Sequence, residues 1–547
     1  MQKVSFFVLS FILCSLNIIA QKVEFLPSKP KLVIGLVIDQ MRWDYLKKYE
    51  NLYITGGFKR LSSEGFNCNN TTIPYIPTYT APGHSSIYTG SIPAFNGIVG
   101  NDWYERSINK NIYCTSDSTV TGVGTTSVWG KMSPRNMWAT TIGDELRLSN
   151  NFKSKVIGIS LKDRASILPA GHSANAAYWY DETVGGFISS SYYLKELPSW
   201  VADFNKKDYP GEYMKKDWDL LIDPRKYIQS TSDNIEFSDP QSDGSNTSFP
   251  HRSSEVITRK YDAFRTTPFA NSYILNFAKL AIENEHLGAN SVTDFLTVSI
   301  SSTDYIGHKY GPNSLEIQDT YLRLDRDIAS FLLYLDSKIG KGNYSIFLTA
   351  DHGVSNVPAF LAKHRIPSGF YKTANIQNEL NTLIENKFQI KKSIAMVENS
   401  QVYLSPLNDV SFQTKIEIKR EIIQYLLNLP FVLNAVSLND LGAQTIPQQL
   451  KEVITNGYNP KRSGDIAFIP KPFVIESYYE NSGTTHGSWN LYDAHIPLIF
   501  FGNGFNKGNS SHRYSMIDIA ATITSMLKIQ MPDACIGNVI EEAIKKN

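Results

Sequence analysis

Three aspartates and three histidines sit where short apolar runs end. Asp39 closes "KLVIGLVID", Asp304 and His308 follow "DFLTVSIS", Asp351 and His352 end "YSIFLTAD", and His486 lies in "GTTHGSWN". In open α/β sheets, ligands bind at the carboxyl ends of strands. Asp304 and His308, at i and i+4, can share one face of a helical turn and hold one cation. Asp351 and His352 are adjacent, so they serve two neighbouring centres or cooperate on one. Mixed imidazole and carboxylate ligands suit zinc better than magnesium or calcium. Six ligands exceed one tetrahedral site but fit two sites with open positions. Taken singly, an aspartate at a strand end is usually a helix cap or turn former. The weight lies in the set together, five of which fall after apolar runs beside a hydroxyl-rich stretch.

A second stretch carries hydroxyls. "TYTAPGHSS", from Thr78 to Ser86, is a poor strand and a poor helix. It predicts a tight, exposed turn leading into a helix. A hydroxyl at a helix N-terminus, as Thr80 would be, is useful where an anion must sit. His84 reads as a local hydrogen-bonding residue.

The elements that must position these groups are five buried strands, "KLVIGLVID" (31–39), "KVIGISL" (155–161), "DFLTVSIS" (294–301), "YSIFLTAD" (344–351) and "HIPLIFFG" (495–502). Their apolar, β-branched character suits parallel strands. Helical periodicity covers 316–340, with Gly340 as a stop, and 515–529. Strands alternating with helices predict an α/β fold with a mostly parallel central sheet. Residues 175–292, rich in Tyr, Asp, Ser and Pro, read as an insertion over the core. Residues 365–480 read as a smaller subdomain before the last core strand.

The chain has 547 residues, and its 53 basic and 52 acidic side chains give +1. That balance argues against a nucleic-acid or anionic-membrane surface. Residues 1–20 carry Lys3 and an apolar run interrupted by Ser10, Ser15 and Asn17. They read as a secretory signal peptide with cleavage near Ala20, leaving 21–547 as the mature chain and a periplasmic or secreted location. Leu13 before Cys14 is too large for a lipoprotein cleavage site. The mature chain keeps Cys68, Cys114 and Cys535, an odd number with no zinc-ribbon spacing, so any metal must be held by His and carboxylates. A Cys68–Cys114 bridge stays open.

In order, "IDQMRWD", "TYTAPGHSSIYTG", "STDYIGHKYGPNS", "TADHG" and "GTTHGSWN" resemble the alkaline phosphatase superfamily. With "GNDWY" (100–104) and "SLKDRASILPAGH" (160–172) the chain more closely resembles the secreted, phosphate-irrepressible PafA-type enzymes of that superfamily. The likeness spans nearly the whole mature chain. It implies a three-layer α/β/α core with inserted subdomains and two zinc ions. Asp304, His308 and His486 would hold the first zinc. Asp39, Asp351, His352 and the Thr80 oxygen would hold the second. Thr80 would be the nucleophile, and Asn101, Lys162 and Arg164 would contact the phosphoryl oxygens. The substrates would be small phosphate monoesters, and the protein a monomer with no nucleic-acid or membrane partner after signal removal.

That chemistry is coherent. Metal coordination lowers the pKa of an alcohol, and phosphoryl transfer needs positioning and charge stabilisation above all. Lys162 and Arg164 alternate along a segment expected to be extended, so both project to one side. A clamp of two cations and Asn101 favours monoesters, because a diester carries less charge and a second substituent. The nearest alternative is a phosphodiesterase of the nucleotide pyrophosphatase type. A sulfatase would need Cys or Ser where Thr80 stands. A phosphomutase fits a signal peptide poorly. A non-catalytic zinc-dependent binding protein is the alternative from another class.

Overall fold

A computed structural model describes residues 29–232, 248–256, 259–476 and 482–545. The signal-peptide reading of residues 1–20 lies outside them. The most apolar segment, Leu32–Ile38 (β1), is buried at every position. A strand apolar on both faces belongs in the middle of a covered sheet. There it lies, hydrogen-bonded in parallel to Asp294–Ile300 on one side and Tyr344–Thr349 on the other.

In chain order the elements that matter for the site are β1, α1 (Thr80–Thr89), β2 (Val156–Ser160), α2 (Asp163–Ala170), β3 (Ala176–Asp181), β4 (Gly186–Ser190), α3 (Phe269–Asn284), β5 (Asp294–Ile300), α4 (Ser302–Tyr310), α5 (Leu315–Leu335), β6 (Tyr344–Thr349) and β7 (Leu498–Gly502). The main sheet has ten strands. Its order is Gly508–Ser510, Phe66–Cys68, β7, β6, β1, β5, β2, β3, β4, Gly122–Val123. The run β6-β1-β5-β2-β3 is parallel throughout. Helices α1 and α2 pack together on one face, and α3 and α5 on the other, giving three layers. Each fully buried Leu or Ile in such a core contributes about 1.5–3 kcal/mol.

Two expectations need correction. The last strand, β7, is antiparallel to β6. The insertion reading of 175–292 also overreaches. Its first residues form β3 and β4, a hairpin that extends the main sheet, and its last form α3, which packs against β5. Tyr178, Trp179 and Tyr180 made β3 look irregular, but all are buried.

A second, four-stranded sheet is built from Ile394–Glu398, Gln401–Leu404, Ile466–Pro470 and Val432–Ser437. It has its own apolar core around Leu380, Ile418, Ile422 and Phe468. Asn399 and Ser400, both at positive φ, make the two-residue turn between its first two strands. Cys68, Cys114 and Cys535 are free thiols. Among the described residues no helix is long and apolar enough to cross a membrane.

Candidate active site

The parallel strands deliver their following residues to one edge. Asp39 follows β1, and its amide donates to the Ile300 carbonyl at the end of β5, 2.9 Å away. Asp351 and His352 follow β6. Asp304 and His308 lie one turn apart on α4, which starts two residues after β5. His486 arrives on a loop before β7. The six residues form two groups, Asp304–His308–His486 and Asp39–Asp351–His352, with ligand atoms in each within 4.8 Å of one another. The groups adjoin, because the His352 and His486 rings stack with centroids 3.5 Å apart.

Both groups have the donor chemistry of a cation site. Asp39 Oδ1 is buried and accepts no hydrogen bond. Asp351 Oδ2 is buried with only His84 Nδ1, 3.3 Å away, against it on one side, and His352 Nε2 stands 3.5 and 3.4 Å from the two oxygens. Buried lone pairs aimed at one point cost free energy unless something positive meets them. All three histidines direct Nδ1 at a main-chain carbonyl: His308 at Thr484 (2.7 Å), His486 at Thr78 (2.7 Å) and His352 at Gly353 (2.9 Å). A carbonyl only accepts, so Nδ1 carries the hydrogen and Nε2 presents its lone pair.

The electrostatics follow from crowding. Burial and the neighbouring Asp351 push the Asp39 pKa up. Burial opposes the Asp304 charge too, but His308 and Lys162 beside it hold that carboxyl well below its usual range. Burial, with His352 and His308 nearby, keeps His486 neutral.

Thr80 is the first residue of α1, not part of an exposed turn. It is 1% exposed, and the whole helix is buried. The expected turn is shorter than the sequence suggested because Pro82 falls in the first helical turn, where a missing N–H costs nothing. Gly83 is required by proximity: a Cβ there would meet the Asp351 carbonyl at 2.5 Å. This contact presses α1 onto the β6 loop and sets Thr80 Oγ1 3.4 Å from His352 Nε2. His84 lies 2.9 Å from the Thr80 carbonyl and 2.8 Å from Ser299 Oγ. It braces the helix from behind.

Asn101 Oδ1 accepts from the Ala81 amide at 3.0 Å, one of the first-turn N–H groups a helix leaves unpaired. Lys162 Nζ donates to Asp39 at 2.8 Å and to Asp304 at 2.6 Å, tying the two groups together. Burial opposes its charge, but Asp304 and Asp39 keep its pKa above the usual lysine value. The extended reading of 162–164 holds only for Lys162. Arg164 sits in the first turn of α2, and its guanidinium donates to Tyr113 Oη at 2.9 Å. Tyr113 in turn donates to Asp163 at 2.8 Å.

Three supporting residues escaped the sequence reading. Gln40, at positive φ directly after Asp39, donates its amide to Asp351 at 3.1 Å and its side chain to Asp304 at 2.7 Å. Its place in "IDQ" was the one available signal. Tyr113 orients Arg164 from 51 residues away. Asp493 accepts from the Ser488 amide and hydroxyl at 2.9 and 2.6 Å, fixing the loop of His486.

A three-layer α/β/α fold with two Asp/His groups beside a helix-borne hydroxyl defines a metal-dependent hydrolase architecture. The type I phosphodiesterase / nucleotide pyrophosphatase family matches residues 33–489, and the chain belongs to that family. Among individual proteins, it is 47% identical to alkaline phosphatase PafA of Elizabethkingia meningoseptica over 96% of both chains. It is 48% identical to a protein of Myroides odoratus named calcium-transporting ATPase, over 95% of both. The crystal structure of wild-type alkaline phosphatase PafA superposes with a TM-score of 0.91 at 46% identity, covering 95% of this chain and all of that one.

Proposed function

We propose that this protein is an alkaline phosphatase, a hydrolase of small phosphate monoesters that works through a phosphothreonine at Thr80. The observation that carries this reading is the adjacency of two three-residue ligand groups to the Thr80 hydroxyl. The residues fit two zinc ions, one on Asp304, His308 and His486, the other on Asp39, Asp351, His352 and Thr80. When bound, these supply Lewis-acid charge that acidifies an alcohol and offsets charge developing on phosphoryl transfer.

The chain's own residues do the rest. Thr80 Oγ1 attacks phosphorus from the N-terminus of α1, whose dipole favours the anionic group. The P–O bond to the substrate alcohol breaks, and the alcohol leaves with the proton that Thr80 gives up. Water then cleaves the phosphothreonine, which releases phosphate and restores the hydroxyl. Asn101, oriented by the Ala81 amide, reaches one phosphoryl oxygen. Lys162 has three N–H donors and commits two to Asp39 and Asp304, which leaves one for phosphate. Arg164, steadied by Tyr113, presents its fork to the remaining oxygens. Three polar groups converging on one phosphoryl group reward a monoester over a diester. The charged and apolar pattern of residues 1–20, read as a signal peptide, supports an extracytoplasmic location, and we propose a monomer of one catalytic domain.

The test is purification with metal quantification, followed by aryl phosphate, its methyl diester and ATP as substrates, with and without chelator. Two zinc ions per chain and chelator-sensitive monoester preference are expected. A strong diester preference would assign the chain to the phosphodiesterases of its family, and zinc without turnover would make it a binding protein.

A further inference from the structure

The chain around Asn101 is gripped from the four-stranded sheet at points on both sides of that residue. Four residues before it, the Gly97 carbonyl accepts from Arg462 Nη1 at 2.6 Å, and the same nitrogen donates to the Asn136 carbonyl at 2.6 Å. One residue after it, the Asp102 carbonyl accepts from Asn399 Nδ2 at 2.8 Å. Asn399 lies in the turn between the first two strands of that sheet, and Arg462 lies just before its strand Ile466–Pro470. Gly100 lets the Asn399 amide come close, since a Cβ there would meet Nδ2 at 2.5 Å.

Both gripping side chains are themselves confined. Asn399 is 5% exposed and Arg462 7%. The Arg462 guanidinium carbon stands 4.6 Å from the Trp103 ring centroid and 4.2 Å from that of Trp138. A planar cation held by two carbonyls and two indole faces has little freedom to move. Asn101 receives that rigidity. Its Oδ1 accepts from the Ala81 amide at 3.0 Å, and its carbonyl accepts from the Cys114 amide at 2.8 Å. The donor left over is Nδ2. A misplacement of about 1 Å in such a group can cost about 10²-fold in rate.

We propose that Arg462 and Asn399 are positioning residues for phosphoryl transfer, which act through Asn101 by fixing the 97–102 segment. The role rests on the phosphatase reading, in which Asn101 meets a phosphoryl oxygen. The four-stranded sheet supplies none of the six Asp and His ligand residues, yet on this account it sets the aim of the amide beside Thr80. The position of the two contacts supports it. They anchor main-chain carbonyls immediately around Asn101, whereas the Asn459 contact to the Ala94 carbonyl at 3.0 Å reaches the same stretch seven residues away.

The test is a double-mutant cycle with Asn101→Ala, using an aryl phosphate as substrate and inorganic phosphate as competitive inhibitor. Asn399→Gly removes the side chain and suits the turn, because Asn399 has φ 57°, which glycine adopts without strain. Arg462→Lys keeps the charge and removes the planar fork. With Asn101 present, each substitution should lower kcat/KM by about tenfold and weaken phosphate inhibition in step, at unchanged zinc content. In the Asn101→Ala background each should cost less than about twofold, because the group they aim is gone. The same factor in both backgrounds would make Asn399 and Arg462 general supports of the fold and overturn the proposal. So would an undiminished rate with Asn101 present. If Arg462→Lys does not fold, Asn399→Gly carries the cycle alone. A wild type that hydrolyses no phosphate ester would remove the phosphatase reading, and this role with it.

Discussion

His486 gives its Nδ1 hydrogen to the Thr78 carbonyl, 2.7 Å away and two residues before Thr80. One bond therefore joins a ligand of one group to the segment that carries the hydroxyl beside the other. His486→Ala should bind one metal fewer per chain by elemental analysis. If zinc fills both groups in the wild type, as proposed, the variant should also show a much smaller rise in thermal midpoint on adding zinc, because a ligand stabilises only the state that binds it. Two tightly bound metals in that variant would break the assignment.

Thr80 Oγ1 stands 3.4 Å from His352 Nε2, and no other hydroxyl occupies the first position of α1. Thr80→Ala should leave no acid-trapped phosphoprotein and lower kcat by at least about 10³-fold. Thr80→Ser, which keeps the oxygen, should retain a trappable phosphoenzyme. Full turnover by the alanine variant would move the nucleophile elsewhere.

Arg164 reaches Tyr113 Oη at 2.9 Å and has Nε buried without a hydrogen-bond partner. An unpaired N–H on a guanidinium is spare capacity for an anion. Arg164→Ala should cost roughly 2–5 kcal/mol in monoester kcat/KM and distinctly less for a methyl diester. Equal losses on both substrates would show that the arginine serves the fold and does not select for charge.

Five of the six ligand positions were legible because each follows an apolar run, and strand ends are where such sheets place chemistry; His486, in a polar loop, was legible only through the resemblance that "GTTHGSWN" carries. The Asp304–His308 spacing also carried its own helical geometry. What the sequence concealed was direction and distance. An apolar run such as 498–502 reads the same in a parallel or an antiparallel strand, so the orientation of β7 was lost. Tyr178 to Tyr180 hid a core strand because aromatic residues with polar tips suit a surface equally well. Tyr113 could not be found, since no periodicity links it to Arg164. The buried setting of Thr80 followed from Gly83 meeting Asp351, a contact between residues 268 apart in "TYTAPGHSS" and "TADHG".

Asp493 shows how the support of a site is divided. Its carbonyl accepts from the Gly353 amide at 2.7 Å, next to His352, while its carboxylate holds Ser488, two residues after His486. Asp493→Ala removes the side-chain half. We expect weaker zinc binding by about 10–100-fold in a chelator competition, with the circular dichroism spectrum unchanged. Asp493→Asn keeps an acceptor for the Ser488 amide and should recover most of the affinity. Wild-type affinity in the alanine variant would sink this positioning role.

Asp327, on α5 and remote from the ligands, gives a pH test of the scaffold. Burial pushes its carboxyl up to about 6, against the pull of Ser272, Lys279 and Arg323. The Ser272 hydroxyl donates to it at 2.7 Å. A raised folded-state pKa means that the native protein holds the proton more tightly than the unfolded chain. The stabilising contribution of the neutral carboxyl is complete below the unfolded value near 4 and is lost as pH climbs through about 6. Asp327→Asn imitates the neutral form at every pH and keeps an acceptor for Ser272. It should therefore match the wild type at pH 4 and exceed it by roughly 1–2 kcal/mol at pH 8, after allowance for partial exposure. Denaturant melts of both proteins across that range read the difference, in which titration of the ligand groups cancels. A gap that stays constant with pH, or that opens toward acid, would mean that the Asp327 carboxyl carries its charge in the fold without penalty.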